Sequence, residues 1–183
     1  MSHKESRDFF LSVSKQFPRY FTKGNRVLDI GSLDINGSNR YLFEQCDEYI
    51  GIDVAPGKNV TKVCLAHEYD EPDNSFDVII SSDCFEHDMF WQKTFVNIVR
   101  LLKSDGLFCF SCKTTGGGEH GTLNSDGGFA SPLTVEIPGW ENYYRNITEE
   151  DYRSVVNVEN TYKEYKFESL KKPADLRFYG VKK

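Results

Sequence analysis

RVLDIGSLDINGSN, residues 26–39, reads as a short apolar strand, Arg26 to Ile30, that runs into Gly31-Ser32 and a second glycine at Gly37. A strand ending in a glycine turn and feeding a helix is a recipe for a nucleotide-type cofactor site. Glycine lacks a Cβ, so the chain turns tightly and a ligand can approach the backbone. A following helix offers free N–H donors at its start. The spacing is G-S-L-D-I-N-G and not G-x-G-x-x-G, which speaks against a nicotinamide-dependent oxidoreductase.

The neighbouring segments extend this reading. Phe9, Phe10, Val13 and Phe17 recur at helical spacing within an N-terminal helical segment, 1–24, with Pro18 ending or kinking the helix. A helix is expected from about Ser38 to Cys46. Strands are expected at 48–54 (EYIGIDV), 60–63, 76–81 (FDVIIS) and 106–112, and a helix at 89–103. Strands alternating with helices imply an α/β fold with a parallel sheet covered on both faces. From Lys113 to Pro132 the texture changes: six of the 14 glycines fall there, with no helical period. Residues 113–147 read as a glycine-rich loop and substrate-side insertion, since long loops in compact domains are usually functional. Thr148 is the expected N-cap of a short helix, with Asp151 in place of the usual capping-box Glu. Residues 163–170 and 175–181 read as an antiparallel pair closing a sheet edge.

Length and composition bound the rest. The 183 residues suit one domain, 1–183, rich in aromatics with 14 Phe and 10 Tyr. A net charge of −6 disfavours sequence-independent nucleic-acid binding. No apolar run reaches the ~20 residues of a membrane span, and the N-terminus lacks the pattern of a secretory signal. Five scattered cysteines point to reduced, mostly buried thiols in a cytoplasmic protein. Cys109 and Cys112 form a C-x-x-C within a strand, where residues three apart face opposite ways, so they are expected to share neither a metal nor a bridge.

Two further features lie where ligands bind in open α/β sheets, beyond the carboxyl ends of the strands. Asp53 closes the second strand, placed to accept the hydroxyl hydrogens of a ribose. Ser82, Asp83, Cys84, Phe85, Glu86 and His87 follow the strand at 76–81. Together, VLDIGS, YIGIDV, DNSFDVIISSDCFEH and LLKSDGLFCFS, over residues 26 to about 112, resemble a small class I S-adenosylmethionine-dependent methyltransferase. Ser104-Asp105-Gly106 stands where the family usually has Pro-Gly-Gly. The resemblance implies a Rossmann-like three-layer sandwich with a seven-stranded, mostly parallel sheet and an antiparallel last strand. It implies S-adenosyl-L-methionine as cofactor and S-adenosyl-L-homocysteine as product. Asp53 would bind the ribose, with Val54 beside it. Asp29, Gly31, Ser32 and Leu33 would form the methionine loop, with Ser82 and Phe85 as further cofactor contacts, and Phe85, Glu86 and His87 would sit near the transferred methyl. Leu33 replaces a usual glycine, so it must turn away or narrow the site. Leu65 occupies the position of an Asp that often faces the adenine, leaving Ala66 and His67 as candidates there.

Glu86 and His87 admit two readings. One is a structural pair with the imidazole packed on the sheet edge. The other takes Asp83, Glu86 and His87 as D-x-x-E-H, similar to the E-x-x-E-H metal site of certain O-methyltransferases, with Glu119 and His120 as possible further ligands. His87 or His120 is the candidate general base, should the acceptor have to lose a proton. His120 can equally be a local hydrogen-bonding residue of its loop. Trp140, Tyr143, Tyr144 and Arg145 could line an acceptor pocket or pin the late segment to the sheet. The expected function is O- or N-methylation of a small-molecule or saccharide acceptor. The alternative is a catalytically inactive relative that binds the cofactor or a partner.

Overall fold

The computed structural model describes residues 4–183. Seven strands form one sheet in the order β3-β2-β1-β4-β5-β7-β6. They are β1 Arg26–Ile30, β2 Glu48–Asp53, β3 Lys62–Val63, β4 Phe76–Ser82, β5 Leu102–Lys113, β6 Tyr162–Ser169 and β7 Asp175–Lys182. Pairing is parallel from β3 through β5, while β7 runs antiparallel between β5 and β6. The expected Rossmann-like sheet with a reversed last strand is therefore present. Strand order reverses at β1, which has β2 on one side and β4 on the other, and this opens a crevice at their carboxyl ends.

The helices are α1 Lys4–Gln16, α2 Trp91–Leu101, α3 Glu149–Val155 and α4 Val158–Thr161. In α1, Ser6, Phe9, Phe10 and Val13 form the buried face. The helix ends before Pro18, which supplies no N–H to continue it and opens the single turn Pro18–Phe21. Phe9, Phe10, Val13 and Tyr20 pack on Val27, Val78, Ile80, Leu107 and Cys109 from one face of the sheet. The other face carries the larger core, with Phe95, Ile98 and Tyr152 of α2 and α3 against Leu28, Ile79, Phe108, Phe110 and Phe178. Each fully buried Phe there contributes about 1.5–3 kcal/mol of hydrophobic stabilisation. The central strands are near-continuous apolar runs because both of their faces are covered. Cys109 lies in the first core and Cys112 in the second, so the C-x-x-C straddles the sheet, and all five thiols are free.

One element departs from expectation. The helix foreseen from Ser38 to Cys46 is a single turn, Arg40–Phe43. Its apolar residues, Tyr41, Leu42 and Phe43, are consecutive and do not recur at helical spacing. Only Phe43 is buried, and Tyr41 is exposed. No helix N-terminus therefore follows the glycine turn.

Candidate active site

The crevice is a half-open cleft spanning about 680 Å³ with the solvent at its mouth included. Its floor comprises Gly31 and Leu33 after β1, Asp53 and Val54 at the end of β2, and Cys64, Leu65 and Ala66 after β3. Asp83, Cys84, His87 and Asp88 after β4 form one wall, and Ala130–Thr134 with Trp140 close the top.

Gly31 has φ +73, and a Cβ there would fall 2.5 Å from the Cys84 Sγ. Glycine is thus required both by the turn and by the side chain seated over it. Its amide and that of Ser32 donate to the Ile52 carbonyl at 2.9 and 3.1 Å, tying the turn to β2. Asp53 is held at both oxygens: the Leu33 amide donates to Oδ2 at 2.9 Å and the Val54 amide to Oδ1 at 2.8 Å. Each oxygen keeps a second acceptor site for a ligand hydroxyl. Burial raises the Asp53 carboxyl above its ordinary value, against these two bonds.

Leu33 leans on the Pro56-Gly57 turn, since a Cβ at Gly57 would lie 2.2 Å from its Cδ1. It still lines the cavity, and with Gly31 it also lines a second space of about 290 Å³. That smaller space is polar, bordered by Asp29, Ser32, Ser38, Asn39 and Ser82. Asn39 is 2 % exposed, and neither its Nδ2 nor its Oδ1 has a hydrogen-bond partner. A buried amide without protein partners is costly, which marks Asn39 as a group able to take a ligand's polar atoms. Asp29 accepts from Tyr49 Oη at 2.6 Å. Burial nevertheless pushes its carboxyl up to about 7.

Beyond β4 the chain turns at Asp83, which has φ +51 and whose amide donates to the Ser111 carbonyl at 2.7 Å. Asp88 receives the Phe90 amide at 2.8 Å and Thr94 Oγ1 at 2.5 Å, anchoring the start of α2. Between them, Glu86 is fully buried and both of its carboxylate oxygens lack a hydrogen-bond partner. Burial and then the Asp83 carboxylate push Glu86 up to about 7. His87 is also buried, its Nδ1 without a partner, and burial together with His120 pushes it down to about 3. His87 is therefore a neutral imidazole at physiological pH and a weak proton acceptor.

The glycine-rich segment brings His120 over this pair. The His87 and His120 ring centroids are 4.9 Å apart, and Tyr144 packs on both at 5.7 and 5.0 Å. The segment is ordered by Asp126, whose carboxylate receives the amides of Gly121 and Gly128 at 3.0 Å. Gly121, at φ +67, would set a Cβ 2.7 Å from His87 Cε1, so only glycine lets the segment approach. His120 Nδ1 lies 3.0 Å from the Gly118 carbonyl, the local hydrogen bond foreseen as one of its roles.

Several expected site residues lie elsewhere. Phe85 lines neither cavity; it is fully buried against Phe95 and Phe110, with centroids at 4.3 and 5.2 Å, because its alternate partner in the turn, His87, takes the cavity side. His67 also lies outside both linings, packed on Phe90 at 4.4 Å. The donor atoms that converge are those of Glu86, His87 and His120, within 4.8 Å of one another; Asp83 is outside that group, its Oδ1 lying 3.4 Å from Ser111 Oγ. Of the four late residues, Trp140 lines the cavity and Tyr144 backs the imidazoles. Arg145 ion-pairs with Asp151 at 2.6 Å instead. Sequence reasoning missed Asn39, and it singled out no residue of the Ala130–Thr134 cover within the 113–147 segment. Asn39 directly precedes a turn, and a polar residue there reads as ordinary capping.

Comparison with known proteins agrees with this geometry. Residues 28–110 match the family profile of a methyltransferase domain. No curated protein sequence matches the chain. Among solved structures, the YcgJ protein from Bacillus subtilis superposes with a TM-score of 0.65 at 15 % identity, covering 99 % of each chain. The Burkholderia thailandensis 1,6-didemethyltoxoflavin-N1-methyltransferase, solved with S-adenosylhomocysteine, gives 0.61 at 17 % identity over 99 % of this chain and 84 % of that one. A Haemonchus contortus phosphoethanolamine N-methyltransferase in complex with S-adenosyl-L-methionine gives 0.62 at 19 % identity; the chain is covered to 96 % but spans about half, 52 %, of that enzyme. The matched methyltransferase-domain profile lies over the strands that build the crevice, and the superposed structures share the chain's fold.

Proposed function

We propose that the protein transfers a methyl group from S-adenosylmethionine to an oxygen or nitrogen of a small-molecule or saccharide acceptor bound in the covered crevice. The observation that carries this reading is the cavity itself. Its floor is the Gly31–Asp53 edge and its cover is Ala130–Thr134 with Trp140, a concave, mostly apolar lining with a few polar groups, as small-molecule sites have. The residues fit the cofactor: Asp53 offers acceptor capacity for ribose hydroxyls, Leu65 and Ala66 an apolar seat for a base, and Asp29 with Asn39 a polar seat for an amino-acid zwitterion. When bound, the cofactor supplies an electrophilic methyl on a sulfonium. The protein's part is alignment and exclusion of water, with neutral His87 orienting the acceptor from the wall. One domain over 1–183 and a cytoplasmic location complete the proposal. The free thiols suit a reducing compartment, and no helix among the described residues is long and apolar enough to cross a membrane.

Calorimetry with S-adenosylmethionine and S-adenosylhomocysteine tests it, followed by mass spectrometry of a panel of hydroxyl, amine and glycoside acceptors. Both cofactor forms should bind, and Asp53→Ala should weaken binding by about 1.5–3 kcal/mol, the usual worth of a hydrogen bond to a charged group. Failure of both to bind overturns the reading. Binding without transfer to any acceptor leaves a cofactor-binding relative.

A further inference from the structure

We propose that Glu86, His87 and His120 form a binding site for one divalent transition-metal ion at the wall of the crevice. Their donor atoms, one carboxylate oxygen and two imidazole nitrogens, lie within 4.8 Å of one another. Ligands of a tetrahedral ion at about 2.0–2.2 Å sit roughly 3.4 Å apart, so closure asks for a movement of about an ångström. His120 can supply it, standing on a segment with Gly118 and Gly121 on either side.

The same atoms are left unsatisfied by the protein. Glu86 is fully buried, and neither of its oxygens receives a hydrogen bond; His87 Nδ1 is buried without a partner. Lys113, the near cation, is already engaged by Asp175 at 2.6 Å. A desolvated carboxylate facing two imidazoles is costly unless it takes up a proton or a cation joins the three groups. His120 is set up from behind. A carbonyl can only accept, so the contact with Gly118 places the hydrogen on Nδ1 and leaves Nε2 as the lone-pair donor. A backbone carbonyl behind a ligating imidazole is the usual way such a ring is oriented. The Arg145 amide donates to the Glu86 carbonyl at 2.9 Å and fixes the backbone that carries the carboxylate.

Two imidazoles and one carboxylate select a borderline ion such as Zn²⁺, Co²⁺ or Fe²⁺ over Mg²⁺ or Ca²⁺. Three protein ligands leave positions open. Because His87 also lines the crevice, an open position faces the acceptor, where it would take a hydroxyl or enol oxygen and favour its deprotonated form. This last role rests on the methyl-transfer reading; metal binding itself does not.

The test is titration of the chelator-stripped, full-length protein with Co²⁺ and Zn²⁺, followed by calorimetry and by visible absorption of the Co²⁺ form. One ion per chain should bind, with low-coordinate d–d bands and no thiolate charge-transfer band. His120→Ala, on a half-exposed loop position, and Glu86→Gln should each weaken binding by at least about 100-fold, since either removes one of three ligands. Wild-type affinity in His120→Ala, no saturable binding, or a thiolate band from Cys64 or Cys84 overturns the site. S-adenosylhomocysteine binding, measured on the same stripped samples, separates the two proposals. If it binds while Co²⁺ does not, the metal site falls and the methyltransferase reading stands; the reverse result does the opposite.

Discussion

Asp29 shows how a single side chain couples burial to solution conditions. Its carboxyl sits at about 7 when folded against an ordinary 3.8, because burial outweighs the Tyr49 hydrogen bond. Between those values the folded, ligand-free protein holds a proton that the unfolded chain releases. Stability must therefore fall as pH rises through that window, by at most about 4 kcal/mol. Asp29→Asn removes the titration, so its stability relative to wild type should rise from pH 4 to pH 8 in paired denaturant melts. Parallel curves would refute the assignment. At this scale the sequence was partly legible. Gly31 and Asp53 declare themselves through strand-end spacing. Asn39 does not, because its burial follows from a turn standing where a helix is expected, and neither does the pairing of His120 with Glu86, which depends on where the 113–147 segment folds back and which no local pattern encodes.

At the scale of elements, legibility followed apolar pattern. The helices α1 and α2 were visible because burial of one face imposes a helical period, and the strands β1, β4 and β5 because burial of both faces makes each an apolar run. The turn Arg40–Phe43 was read as a helix because three apolar neighbours imitate one over so short a span. Chemistry was legible as well where two residues specify each other. Thr148 caps α3 as foreseen: the Asp151 amide donates to Thr148 Oγ1 at 3.1 Å, and the Thr148 amide donates to Asp151 Oδ2 at 2.9 Å. The helix has only seven residues, yet it delivers Tyr152 to the core. Thr148→Ala should cost about 1 kcal/mol, read as a lower denaturant midpoint at unchanged slope. A changed slope would mean that the cap governs more than its own helix.

For the whole molecule, the matched profile ends at residue 110, but the folding unit does not. β7 pairs with β5 from Leu107–Val181 to Lys113–Asp175, and Phe178 contacts Phe108, Phe110, Tyr152 and Tyr162 with centroids at 5.0–5.8 Å. Phe178→Ala should cost about 3–5 kcal/mol, a large part of the total stability of such a domain, and should leave little folded protein at 37 °C by circular dichroism. A small effect would show that the tail is dispensable to the core. The placement of β7 between β5 and β6 also has a consequence for synthesis. Translation makes β6 before the strand that must hold it, so an emerging chain carries one unpaired strand and an uncovered β5 edge until β7 follows. Such edges invite pairing with other chains. The protein is thereby committed to closing its sheet late and by long-range contacts between β5 and β7, the kind that form slowly.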